Sequence, residues 1–206
     1  ERTGAGGTTY GIGFELALPA DWNGRYLLQG GGGLNGSIRP ALGPTASGEA
    51  NALQRGFAVA SHDSGHKGVV FDSSFMADQR AALDFAETSV RTVTLATREL
   101  VEGYYGKAPH HSYMTGCSTG GREGMLASQR YPELFDGIVV GAPAMRPGFS
   151  NLAAEYAQVL LNRTLPAGDE GAAGFTPAEL SLVSAQLVRQ CDAQDGLADG
   201  IIANVE

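Results

Sequence analysis

Five residues, Gly116-Cys117-Ser118-Thr119-Gly120, constrain this chain more than any other stretch. The segment before them, Ser112-Tyr113-Met114-Thr115, reads as a strand, and residues 122–129 after them read as a helix. A strand that turns into a helix over so few residues needs small side chains at the bend. Such a turn lifts the Ser118 hydroxyl to an exposed tip, and the first N–H groups of the helix aim at the same point. Where strand and helix go on alternating, the sheet is mostly parallel and helices cover it.

The alternation does go on. Residues 10–18 carry the apolar/polar period of a half-buried strand. Asp21-Trp22-Asn23-Gly24 reads as a turn, Arg25-Tyr26-Leu27-Leu28-Gln29 as the next strand, and Phe57-Ala58-Val59-Ala60-Ser61 as a third. Residues 78–104 read as one long helix, although Ala81, Leu83, Phe85, Val90, Val93, Leu95, Leu100 and Tyr104 do not share a narrow stripe. Residues 135–141 are a further buried strand, and beyond about residue 148 the pattern turns helical, with 181–189 a good segment. The expected class is α/β. Residues 1–148 form its catalytic part, and residues 149–206 begin a second, helical part.

Composition narrows the partners. The formal net charge is -8, from 14 basic and 22 acidic residues, and no Lys/Arg run exists, so nucleic acid and anionic membranes are not expected partners. No apolar stretch approaches the roughly 20 residues of a membrane span. Thirty glycines cluster at turns and point to tight loops. Two cysteines, Cys117 and Cys191, do not by themselves assign a redox compartment.

Four motifs carry chemistry. The pattern G-x-S-x-G on a strand–helix turn is that of a nucleophile elbow, with Ser118 as the nucleophile; the alternative is a glycine-rich turn with an incidental serine. Gly30-Gly31-Gly32-Gly33, after an early strand, is placed to supply one oxyanion-hole N–H, and Thr119 the other; alone, four glycines would be a flexible turn. Asp192, Asp195 and Asp199 lie within eight positions among glycines, an oxygen-rich loop suited to Ca²⁺, though without EF-hand spacing. A plain turn of Asp-Gly dipeptides is the alternative. His62-Asp63-Ser64-Gly65-His66, at a strand end, reads as structural or substrate-lining, and His110-His111 as solvated. In an elbow hydrolase the acid and then the histidine follow the serine, yet all four histidines here precede it. The general base is therefore expected on a second polypeptide or a missing C-terminal half; otherwise the chain is an incompetent fragment or a non-catalytic binding or structural protein.

Taken together, Gly116-Cys117-Ser118-Thr119-Gly120-Gly121-Arg122-Glu123-Gly124, Pro19-Ala20-Asp21-Trp22-Asn23-Gly24-Arg25, Asp136-Gly137-Ile138-Val139, Gly141-Ala142-Pro143 and the 191–201 loop resemble the tannase/feruloyl esterase family, and within it the bacterial mono(2-hydroxyethyl) terephthalate hydrolase branch. The resemblance implies an α/β-hydrolase core with a large inserted lid, of which residues 149–206 are the beginning. It implies a serine esterase acting on a small aromatic ester of feruloyl, galloyl or terephthalate type. Ser118 would be the nucleophile, Gly33 and Thr119 the oxyanion donors, and the catalytic Asp and His would lie outside this chain. It further implies a structural Ca²⁺ held by the Asp192, Asp195 and Asp199 side chains and the Leu197 and Ile201 carbonyls. Cys117 would be bridged to a cysteine beside the catalytic histidine, Cys191 to one a short way downstream, and the enzyme would be secreted, periplasmic or on the cell surface. Thr119 stands where the terephthalate branch can have glutamate, so that branch's specificity is not implied.

Overall fold

Alternate residues along the two central strands bury into opposite faces of one sheet. In β4 (Arg25–Gln29), Tyr26 and Leu28 enter one core while Leu27 enters the other; in β5 (Ala58–His62), Ala58 and Ala60 oppose Val59. Both strands are buried on both sides, as parallel strands between two covering layers must be. The structure, a computed structural model, describes residues 1–45, 48–163 and 175–203. It falls into two units, Glu1–Met145 and Arg146–Glu206.

In the first unit, five strands run in the order β3-β5-β4-β6-β7. β3 (Phe14–Ala17) is antiparallel to β5; β4, β5, β6 (His111–Cys117) and β7 (Gly137–Gly141) are mutually parallel. β7 is an edge, with Val139 69% exposed. Its entry is clamped to β6, because Ser112 N–H donates to Asp136 Oδ2 and Asp136 N–H donates to Ser112 O, each at 2.7 Å. A short pair, β1 (Arg2–Thr3) and β2 (Thr9–Tyr10), stands apart. The strand expected over 10–18 is thus divided. Gly13 N–H donates to Asp63 Oδ1 at 2.9 Å, so the chain crosses from one sheet to the other there.

The long helix is present but not uniform. α1 (Gln79–Leu83) continues through a π-helical turn, Asp84–Thr88, into α2 (Ser89–Tyr105). A π turn holds about one residue more than an α turn, so the apolar positions slip by one in the sequence across it. That accounts for the ragged pattern: Ala81, Phe85, Val90, Val93 and Val101 are buried, whereas Leu83, Leu95, Leu100 and Tyr104 are exposed. Asp84, itself buried, accepts from Arg80 Nε at 3.1 Å and from the Thr88 hydroxyl within this turn. α2 and α3 (Thr119–Arg130) contribute Val90, Val93, Val101 and Ala127 to the larger core, with Met114 of β6 between them. The Tyr26 hydroxyl ends in that core 2.7 Å from Thr97 Oγ1, which satisfies a buried phenol. The opposite face is covered by Ala41 and Ala52.

The second unit contains α4 (Pro147–Asn162) and α5 (Pro177–Cys191), then a short 3₁₀ turn, Asp192–Asp195. α5 starts where local chemistry says it should. Thr176 caps Glu179 N–H, Glu179 accepts in return from Thr176 N–H at 2.7 Å, and Pro177 takes the first turn. No described residue of α5 is buried.

Candidate active site

Ser118 occupies the bend between β6 and α3 at φ 58°, ψ −117°, a conformation L-residues rarely adopt. Holding a serine there costs about 1–3 kcal/mol and needs surroundings that over-determine it. They do. Ser118 N–H donates to Gly141 O at 3.2 Å, and the Ser118 carbonyl accepts from Arg122 and Ala144 N–H, each at 3.0 Å. The bend closes only on glycine: a Cβ at Gly116 would lie 2.3 Å from Gly120 O, and one at Gly120 would lie 2.7 Å from Gly31 O. Cys117, the last residue of β6, is exposed.

The glycine-rich loop after β4 packs against this bend. Four successive residues are left-handed: Gly33 (φ 59°), Leu34 (65°), Asn35 (56°) and Gly36 (78°). For Leu34 and Asn35 that costs about 1–2 kcal/mol each. The loop is tied to the elbow twice, by Gly120 N–H donating to Gly31 O at 3.1 Å and by Leu34 N–H donating to Thr119 Oγ1 at 3.2 Å. It is tied to the far side by Phe71 N–H on Gly33 O and Gly36 N–H on Asp63 O, each at 3.0 Å. The loop that carries Gly33 is therefore held against Thr119 and Gly120, the two residues that follow Ser118. Thr119 opens α3, where first-turn N–H groups have no partner within the helix. Beside them, an open cleft of about 400 Å³ lies between the strand ends, lined by Gln29, Gly30, Thr115, Gly116 and Cys117 among others.

Behind the loop is a fully buried carboxylate that sequence reasoning passed over. Glu123 Oε2 accepts from Gly31 N–H at 3.0 Å, and Oε1 accepts from Asn35 Nδ2 at 2.6 Å and Ser64 Oγ at 2.9 Å. A signal existed: Thr119, Glu123 and Ala127 recur every four residues and share the buried face of α3, so one charge sits among small residues. Arg122, its neighbour, donates to Phe85 O at 2.8 Å and Ala86 O at 3.0 Å and lies over the Phe85 ring. Burial lowers the Arg122 pKa, partly opposed by Glu123.

The two histidines near the loop are both buried. His62 is buried; its Nδ1 accepts from Ser64 N–H at 3.2 Å, which leaves the proton on Nε2, 3.7 Å from Glu123 Oε2. His66 is buried against Phe75, ring centroids 3.6 Å apart, and desolvation lowers its pKa, with Asp63 opposing. Asp63 accepts from Gly13 and Gly65 N–H, each at 2.9 Å, while burial raises its pKa. His110 and His111 are exposed.

In the second unit, the acidic loop is folded on its own backbone. Asp192 Oδ1 accepts from Gly200 N–H at 2.9 Å and Asp199 N–H at 3.3 Å; Asp195 accepts from Leu197 and Ala203 N–H, and Asp199 from Ile201 N–H, each at 3.0 Å. Two backbone donors, from Ala203 and Leu197, lower the Asp195 pKa. Leu197 and Ile201 are exposed. Among the described residues no three acidic, His or Cys side chains converge as a ready metal cage. The donors are nonetheless all oxygen, the kind a hard cation takes. The Cys117 and Cys191 thiols are both free.

The family described as "Tannase and feruloyl esterase" matches residues 3–206. The chain is 41% identical to mono(2-hydroxyethyl) terephthalate hydrolase of Piscinibacter sakaiensis, covering 99% of this chain and 36% of that protein. It is 38% identical to probable feruloyl esterase B-1 of Aspergillus fumigatus, covering 93% of this chain and 34% of the other. The crystal structure of feruloyl esterase B from Aspergillus oryzae superposes with a TM-score of 0.71 at 34% identity, over 94% of this chain and 36% of that one. Tannin acyl hydrolase from Aspergillus niger gives 0.62 at 26% identity, over 93% and 34%. The fold is of the α/β-hydrolase type, and the chain spans about a third of the length of the relatives it matches.

Proposed function

From membership of the tannase and feruloyl esterase family, to which this chain belongs, we propose that it is the serine-bearing part of a carboxylic-ester hydrolase acting on aromatic esters. The observation that carries the reading is the strained Ser118 at the head of α3, facing a glycine loop tied to the same helix. In the proposed reaction the Ser118 hydroxyl attacks the ester carbonyl. A histidine outside residues 1–206, oriented by an Asp also outside them, takes the proton and returns it to the departing alcohol. Water then releases the acid from the acyl-serine by the same route. Gly33 and Thr119 N–H groups take the negative charge of the tetrahedral intermediate, a contribution of about 2.7–4 kcal/mol per donor in comparable sites. His62 is a poor candidate for the base, because its ring is buried and its Nδ1 accepts from Ser64 N–H.

The remaining features of the reading are supportive. The 192–201 loop would hold a structural Ca²⁺ through Asp192, Asp195 and Asp199 and the carbonyls of Leu197 and Ile201; its all-oxygen donors and its closure by Asp192 across Asp199 and Gly200 favour this. No catalytic step uses the ion. Cys117 and Cys191 would each bridge to a cysteine outside residues 1–206, which suits a secreted, periplasmic or cell-surface enzyme. Among the described residues no helix is long and apolar enough to cross a membrane. Acyl groups of feruloyl, galloyl or terephthalate type are the proposed substrates, after the names of the relatives.

The test is made on the complete enzyme. Ser118→Ala should lower turnover of feruloyl and galloyl esters by about 10⁴-fold or more without unfolding the protein. Near-normal turnover in a folded Ser118→Ala variant would overturn the assignment. Chelation should lower the melting temperature, and non-reducing peptide mapping should yield no Cys117–Cys191 peptide.

A further inference from the structure

Glu123 has no part in the ester chemistry above, yet it is completely buried and takes hydrogen bonds from three separate residues. We propose that Glu123 is the positioning residue of the oxyanion hole: it holds the left-handed 33–36 segment in the shape that presents Gly33 N–H to the developing oxyanion. The proposal rests on the reading of Ser118 as nucleophile and Gly33 as donor.

The geometry is specific. Gly31 and Asn35 lie two residues before and two after Gly33, and one carboxylate binds both, Oε2 to Gly31 N–H at 3.0 Å and Oε1 to the Asn35 amide at 2.6 Å. Fixing both flanks of a short loop fixes the peptide between them. Glu123 is also one turn along α3 from Thr119, on the same face, so both oxyanion donors are referenced to a single rigid helix. Oε1 accepts in addition from Ser64 Oγ at 2.9 Å; Ser64, at φ 66°, belongs to the turn that follows β5. Two strained turns, after β4 and after β5, thus share one acceptor. Gly31 leaves room for this: a Cβ there would fall 2.0 Å from Asn35 Oδ1. The two carboxyl oxygens together accept from all three donors. A carboxamide of the same shape places its NH₂ against one of them.

The experiment compares Glu123→Gln and Ser64→Ala with the parent in the complete enzyme, alongside Ser118→Ala. Glu123→Gln is expected to lower kcat by about 10- to 100-fold with KM within about threefold, because an oxyanion donor acts in the transition state and not on the bound ester. The inhibition constant of an arylboronic acid, whose tetrahedral serine adduct puts an oxygen in the hole, should rise by the same factor. The affinity for the product acid should not change. Ser64→Ala, which leaves the Gly31 and Asn35 bonds to Glu123 in place and removes only the Ser64 hydroxyl with its bonds to Glu123 and Asn35, should lower kcat about three- to tenfold in the same manner. A merely structural Glu123 would lower the melting temperature while kcat and boronate affinity stayed within about twofold, and that result overturns the proposal. If Glu123→Gln does not fold, Ser64→Ala decides, and an unchanged kcat there overturns it equally. An inert Ser118→Ala beside an unaffected Glu123→Gln removes only the positioning role; an active Ser118→Ala removes the nucleophile reading itself.

Discussion

Each of the two units is held by a different kind of internal interaction. In Glu1–Met145, bonds that matter join residues far apart in sequence: Glu123 with Gly31 and Asn35, Ser118 with Gly141, Arg122 with Phe85. Among the described residues of Arg146–Glu206, the characteristic bonds are local, within a capping box, a helix or one acidic loop. Its helices expose large apolar side chains, among them Phe149, Leu152, Tyr156, Leu182 and Leu187. Local signals suffice to shape a helix, but they contribute tenths of a kcal/mol each, whereas most helix stability comes from a buried face. The first unit carries its own core; among the described residues of the second, none is buried.

Hydrogen exchange on residues 1–206 should break or sharpen that contrast most. Amides of β4, β5 and β6 are expected to be protected at least about 10³-fold more than those of α4 and α5, since elements without a core open at little cost. Equal protection would show that the second unit is stable by itself. Next in size is Gly120→Val. Its added atoms would meet Gly30 and Gly31 backbone, which cannot move aside like a side chain, so a loss of about 3 kcal/mol or outright misfolding is expected, read by denaturant titration.

A smaller effect concerns acid. His66 has its pKa lowered by burial, so the unfolded chain binds a proton more readily than the folded one. Stability from this group is therefore full above about pH 6.5 and is lost as pH falls through 6.5 towards the lower folded value. Asp63 has a raised pKa and the opposite slope, in a window starting from the ordinary carboxylate value. His66→Phe, which keeps a ring on Phe75, should flatten melting temperature between pH 7 and 5; an unchanged slope would place the acid sensitivity elsewhere. The smallest effect is Thr176→Ala, which removes the cap of α5. About 0.5 kcal/mol is expected for an exposed helix, seen as faster exchange in its first turn only.

What could be read beforehand follows the same division. β4 to β7, α3 and the strand–turn–helix bend were legible because alternation, breakers and G-x-S-x-G are short-range patterns; the β1–β2 pair was not, and the strand expected over 10–18 is divided. α5 was legible from 181–189, and Thr176 with Pro177 extends it by one turn. The π turn was visible only as a stripe that would not align, because the Phe85 and Ala86 carbonyls within it are held by Arg122, a residue remote in sequence. Glu123 read as an ordinary charged helix residue because its partners, Gly31, Asn35 and Ser64, are remote in sequence. The acidic loop had composition that suits a cation, but composition does not say that Asp192 and Asp195 will first satisfy backbone N–H groups.

The π turn at Asp84–Thr88 also sets a phase. Ser89 N–H reaches back five residues to Asp84 O, and Arg122 holds the Phe85 and Ala86 carbonyls. Each residue of an α-helix advances the screw by about 100°. A π turn spends about one more residue than an α turn on nearly the same rotation, so the added residue is absorbed within 84–88 and the helix on either side keeps the phase of a regular one. That phase puts Ala81 in the core and leaves the Asp78 cap, with its ion pair to Arg2, where it is. Deleting one residue between 84 and 88 should therefore leave α1 and α2 in place and cost mainly the contacts of Arg122 with the Phe85 and Ala86 carbonyls, whereas deleting one from the middle of α2 should swing one end of that helix by about 100° and expose part of its buried face.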